Sequence, residues 1–145
     1  MKRVLPLVLG VVVAACTTPP QQRGTTGAEV YATTCAACHA ADGLGVNEAF
    51  PPLKDSPWVS LPDSLLIRLT LRGLRGPIQV NGREYNNMMP PHAFLTDEQL
   101  AAVLTFVRTE FGAGGLIEPD QVAAERQRFG SGPMWTIQEL TAAPE

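Results

Sequence analysis

Apolar residues fall along this chain with several spacings, and each marks a different element. Val4 to Val13 is an almost unbroken apolar run, interrupted at Pro6 and Gly10. It is shorter than the roughly 20 residues a membrane-spanning helix requires, so it reads as the apolar part of an export leader. From Ala28 to Ala32 the pattern turns helical, with Thr26 or Gly27 as cap and Glu29 at the positive end of the helix dipole. Ser60-Leu61-Pro62-Asp63 opens a second helix, with Ser60 as cap and Pro62 in the first turn. Leu65, Leu66 and Leu69 form its apolar stripe and Gly73 stops it. Gly82 to Pro91 is a largely polar loop. Thr96-Asp97-Glu98-Gln99 is a capping box ahead of Leu100, Val103, Leu104, Val107 and Phe111 on one face, with Gly112 as terminator. Pro119 to Phe129 forms a further short helix, and Pro133 to Ile137 is expected to pack back on the body.

The leader changes the picture first. Met1-Lys2-Arg3 is a positive start, and Val13-Ala14-Ala15-Cys16 resembles a bacterial lipobox. Residues 1–15 are then a lipoprotein signal peptide and Cys16 is diacylated, with ordinary signal cleavage as the alternative. Such an anchor carries more than one acyl chain, which makes membrane attachment stable. Residues 16–26 read as a flexible tether. The protein is expected outside the cytoplasm, lipid-anchored and facing the periplasm or an equivalent space.

A length of 145 residues leaves room for one domain, and 45% hydrophobic residues with a mean hydropathy of +0.03 mark it as globular. Aromatics make up 6%, so the unaided core would be modest. The formal charge is −3, and removing residues 1–15 leaves 9 basic against 14 acidic side chains. That balance argues against nucleic acid as a partner.

The candidate chemistry sits in Cys35-Ala36-Ala37-Cys38-His39. C-x-x-C-H is the attachment signature of c-type haem. Two thiols three residues apart can each add to a vinyl group on one edge of a porphyrin, and the next imidazole then reaches the iron. Half of a zinc site is one alternative, but it needs further ligands, and only Cys16 and His92 remain. A dithiol redox pair is another, but it calls for a βαβ setting whereas these surroundings read as helix. With haem attached, the three cysteines are one lipid anchor and two thioethers.

Gly27-x-x-x-Tyr31-x-x-x-Cys35-x-x-Cys38-His39, followed by Gly43, Gly45 and Phe50-Pro51-Pro52-Leu53, resembles the N-terminal half of class I cytochromes c. The resemblance covers residues 27–112 and implies an all-α fold of three to five helices around one covalent haem c. Residues 113–145 would be a C-terminal extension packing on that domain. It further implies that Pro51 offers its carbonyl to His39, that Leu53 packs on the ring, and that Gly27 or Val30 meets Phe106 where the first and last helices cross. Met89, standing before Pro90, is the implied second iron ligand, with Met88 as alternative. A proline after Met89 keeps it extended, and the thioether is a soft ligand that favours Fe(II). Trp58 could donate its indole N–H to a propionate or simply pack. Tyr85 and Asn87 could hydrogen-bond near the sulfur or a propionate. Arg68, Arg72 and Arg75 read either as a solvated face or, at Arg72 or Arg75, as a propionate partner or docking patch. His92 reads as a surface-loop histidine, with iron ligation or pH switching as the alternatives, and Met134 is a remote candidate ligand.

The implied function is one-electron transfer by a tethered monohaem carrier in a respiratory or dehydrogenase-linked chain. Its partners would be an oxidase, a reductase or a dehydrogenase. The alternatives are a haem subunit of an oxidoreductase, or a peroxidase or nitrite-reducing cytochrome whose Met ligand gives way to substrate. A haem-free interaction lipoprotein is a third class.

Overall fold

In the computed structural model, which describes residues 25–144, helices enclose a cleft and only one small hairpin interrupts them. The first helix begins as α1 (Gly27–Val30), widens into a π-helical turn at Tyr31–Cys35 and returns to α geometry as α2 (Ala36–His39). Thr26 caps it in a reciprocal box with Glu29, an arrangement that contributes roughly 0.5–2 kcal/mol. The π turn runs into the Cys-x-x-Cys-His segment and ends on its first cysteine, Cys35, a placement such insertions often take at functional sites.

After a loop the chain forms a short 3-10 turn at Pro57–Ser60, capped by the Ser56 side chain, and then α3 (Asp63–Arg72). The expected helix start at Ser60 is therefore shifted. Ser60 closes the 3-10 turn and Pro62 occupies the N-cap position of α3. A hairpin follows, β1 (Ile78–Val80) antiparallel to β2 (Arg83–Tyr85), with Ile78 opposite Tyr85. Its turn is Asn81-Gly82, both at positive φ, the pair that two-residue hairpin turns favour. This element departs from the polar loop expected there.

The longest helix, α4 (Asp97–Phe111), carries the Thr96–Gln99 capping box and buries Leu100, Val103, Leu104, Val107 and Phe111. Each such side chain contributes about 1.5–3 kcal/mol when fully buried. α4 crosses α1, with Gly27 seated against Ala102 and Phe106. Tyr31 stacks between Phe106 and Phe111, at centroid distances of 5.4 and 5.2 Å. The described helices complete the all-α fold expected of a class I cytochrome c, with α5 (Pro119–Phe129) and α6 (Ile137–Ala142) at its C-terminal end.

Those last two helices lie on α3. Arg68, on α3, has no exposed surface and forms a two-pronged ion pair with Glu125 of α5, its Nη2 donating to Oε1 at 3.2 Å. Its guanidinium also lies over the Phe129 ring at 4.0 Å. A solvated arginine face is thus not what forms. The three arginines turn toward the C-terminal segment. Among the described residues no helix is long and apolar enough to cross a membrane.

Candidate functional site

One cleft of roughly 1250 Å3, its open mouth included, runs between the first helix, α3, α4 and the loop after β2. Its walls are overwhelmingly apolar, with Leu66, Leu69, Val80, Val103 and Leu104 among them. Cys35, Cys38 and His39 line it, and both thiols are free and half-buried. Burial and then the neighbouring Cys38 push the Cys35 thiol up to about 11. A dithiol redox pair works through a lowered thiol pKa, so this shift opposes that reading. Among the described residues no three His, Cys, Asp or Glu side chains gather as a metal cluster.

The loop after the motif sets the histidine. Gly45 N–H donates to the His39 carbonyl at 2.9 Å, and Leu53 and Lys54 N–H both donate to the Gly43 carbonyl. Gly45 has φ +74°, and a Cβ there would strike the Phe50 carbonyl and the Pro51 backbone. This close approach brings the Pro51 carbonyl to 3.0 Å from His39 Nδ1. Nδ1 is thereby the donor and Nε2 is left as the acceptor nitrogen. Burial lowers the His39 pKa, against the opposing effect of the Pro51 bond, a direction that favours the neutral ring.

Met88 and Met89 reach the same cleft from the loop after β2. Met88 is 58% exposed, whereas Met89 is half-buried and packs against Leu69, Leu74, Trp135 and Leu140. Met89 is fixed by its backbone: its N–H donates to the Leu74 carbonyl at 2.9 Å, and Leu74 N–H returns the bond at 3.0 Å. Asn87, two residues earlier, donates from Nδ2 to the Ala49 carbonyl at 2.9 Å and so joins this loop to the one that holds Pro51.

Pro51, Leu53, Trp58 and Tyr85 all line the cleft. The Trp58 indole N–H, however, donates to the Gln79 carbonyl at 2.9 Å rather than standing free for a propionate. Arg72 does not line the cleft. Its guanidinium bonds the Pro133 carbonyl and lies 3.6 Å over the Trp135 ring, and these two contacts draw it away. Arg75 likewise turns to the Met134 carbonyl, at 3.0 Å, and to Glu139. His92 is the residue whose surroundings were least legible in sequence. It is 8% exposed, lies in the cleft wall rather than on a surface loop, and its buried Nδ1 has no hydrogen-bond partner among the described residues.

Two thiols, an imidazole with its outer nitrogen already bonded, a thioether and apolar walls in one cleft fit a covalently held iron porphyrin. The comparison with known families decides the matter: residues 24–110 match the cytochrome c family model. The chain belongs to the cytochrome c family. It is therefore a carrier of electrons rather than an enzyme, and it holds one covalent haem c. This cytochrome is 35% identical over 127 residues to cytochrome c-552 of Thermus thermophilus, covering 72% of this chain and 96% of the relative. It is 39% identical over 93 residues to the cytochrome c subunit of the alcohol dehydrogenase (quinone) of Gluconobacter oxydans, covering 62% of this chain and 19% of that subunit. A third relative is the CcoP subunit of the cbb3-type cytochrome c oxidase of Rhodobacter capsulatus, 40% identical over 75 residues, covering 51% and 24% of the two chains.

Proposed function

We propose that this cytochrome is a membrane-tethered, six-coordinate, one-electron carrier. In this reading Cys35 and Cys38 form the thioethers, His39 and Met89 are the axial ligands, and residues 27–112 are the haem domain. Cys16 carries the lipid and residues 16–26 the tether. The signal peptide, Cys16 and nearly all of the tether lie outside the described residues, so the sequence alone supports those parts.

What supports the reading is that two side chains of the right chemistry, His39 and Met89, line the same cleft on differently anchored segments. His39 is oriented by the Pro51 carbonyl, and Met89 is pinned on both backbone groups by Leu74. The haem supplies an Fe(III)/Fe(II) couple when bound. The chain's own residues do the rest. The Pro51 carbonyl holds the proton on Nδ1 and makes Nε2 a stronger donor. The Met89 sulfur, as a soft ligand, favours the reduced state. The apolar walls exclude water. Leu44 and Val46, on the loop after the haem motif, and Met88 are exposed at 59%, 42% and 58%. They offer apolar surface to a redox partner.

The relatives support a dehydrogenase or oxidase as that partner, since cytochrome subunits of both kinds share this domain. A tether would raise the local concentration of such a partner at the membrane. The test is the oxidised protein's spectrum with and without cyanide. The sulfur-to-iron charge-transfer band should be present, and cyanide should bind slowly. Absence of the band with immediate cyanide or nitrite binding would favour the enzyme reading.

A further inference from the structure

The C-terminal segment touches the Met89 loop through a single intervening strand of backbone. Leu74 pairs antiparallel with Met89 on one side and parallel with Trp135 on the other. Arg75 N–H donates to the Trp135 carbonyl at 2.8 Å, and Trp135 N–H donates to the Gly73 carbonyl at 3.1 Å. Gly73 (φ +74°) lets the two chains close up, because a Cβ there would strike the Met89 carbonyl. A three-chain ladder of Met89, Leu74 and Trp135 thus replaces the solvent that would otherwise meet this edge.

The far strand of that ladder is itself held by side chains. Trp135 is 7% exposed and its indole N–H donates to the Arg68 carbonyl at 3.1 Å. Arg72 covers its ring and binds the Pro133 carbonyl, while Arg75 binds the Met134 carbonyl. Arg68 and Arg72 lie one turn apart on α3, so one helix face grips the segment along its length. Met89 and Trp135 also meet in the same apolar cluster with Leu69, Leu74 and Leu140. In a packed interior, displacement of one such strand is felt by its neighbours.

We propose that Pro133–Trp135, gripped by Arg72 and Arg75, positions the Met89 loop and so governs how readily the sulfur leaves iron. This rests on the assignment of Met89 as iron ligand. Arg72, Arg75 and Trp135 are positioning residues. They act through Leu74, and none of them lines the cleft.

The test uses the full-length holoprotein and the rate at which imidazole displaces the axial sulfur in the oxidised state, followed by loss of the charge-transfer band. Trp135→Ala and the double variant Arg72→Ala/Arg75→Ala should accelerate exchange at least about fivefold, the lower end of coupling between two sites. Trp135→Phe, which keeps a ring under Arg72 but lacks the indole N–H, should fall between wild type and Trp135→Ala. Should Trp135→Ala not accumulate, Arg75→Ala serves, since that side chain is 47% exposed. Variants that melt at lower temperature yet exchange imidazole at the wild-type rate overturn the proposal. Met89→Ala separates the two claims: a band that survives in this variant overturns the ligand assignment instead.

Discussion

Nδ1 of His39 stands 3.0 Å from the carbonyl oxygen of Pro51, twelve residues along the chain. The contact exists because Gly45, at φ +74°, folds the intervening loop back against Phe50 and Pro51. Gly45→Ala would place a Cβ into that backbone at a φ that L-residues avoid. The expected cost is about 1–3 kcal/mol of stability. With the Pro51 carbonyl displaced, the imidazole donates less to iron, and the midpoint potential should rise. Protein-film voltammetry together with guanidinium melts checks both, and an unchanged potential would mean that the carbonyl does not tune the ligand.

The two adjacent methionines should separate cleanly. Met89→Ala should lose the charge-transfer band and lower the potential by on the order of 0.1 V, well within the range axial ligands span. Met88→Ala, at a position largely open to solvent, should keep the band. Spectra of the two oxidised variants decide it, and the reverse result would transfer the ligand to Met88.

Glu125→Ala tests the C-terminal packing at its most buried point. Arg68 is wholly buried and Glu125 nearly so. Removing the carboxylate leaves a guanidinium without its partner, a loss of about 3–5 kcal/mol. Denaturant melts of the holoprotein should show it, and a change below about 1 kcal/mol, the size of an exposed pair, would contradict it.

Acid sensitivity follows from His92. Burial is the chief cause that lowers its pKa. A group whose folded pKa lies below its unfolded value binds more protons when unfolded. Its contribution is therefore complete above the ordinary imidazole value of about 6.5 and is lost as pH falls below it. Unfolding midpoints measured between neutral and mildly acid pH should decline on the acid side. His92→Phe should flatten that decline and, by removing the unpartnered Nδ1, cost little stability at neutral pH. A steeper acid decline in His92→Phe would refute the assignment.

What was legible in the sequence was local. A cap at Thr26, the Thr96–Gln99 box, and the stops at Gly73 and Gly112 are decided within one helical turn, and the structure has all of them. The Asn81-Gly82 turn was equally local, a signal for a hairpin that the polar surroundings concealed. Thr136 and Glu139 form one more capping box of the same kind. The arginines of α3 were not legible, because Glu125, Pro133 and Trp135 lie some 57 to 67 residues away from them. A helical repeat of charges gives no hint of such partners. The burial of His92 is of the same sort, since its backbone N–H bonds the Thr70 carbonyl on α3, 22 residues away.

The proposed tether makes a separate cellular prediction. Cys16→Ser should move the cytochrome from the membrane fraction to the soluble exported fraction without altering its spectrum. Wild type found entirely in the soluble fraction would contradict lipidation.

The most direct test of the account is proton NMR of the reduced holoprotein with methyl-labelled methionine. One methionine methyl, held against the porphyrin face, should be shifted far upfield by the ring current, and Met89→Ala alone should abolish it. A spectrum with no such methyl, or one that keeps it in Met89→Ala, would contradict an iron clamped between His39 and Met89.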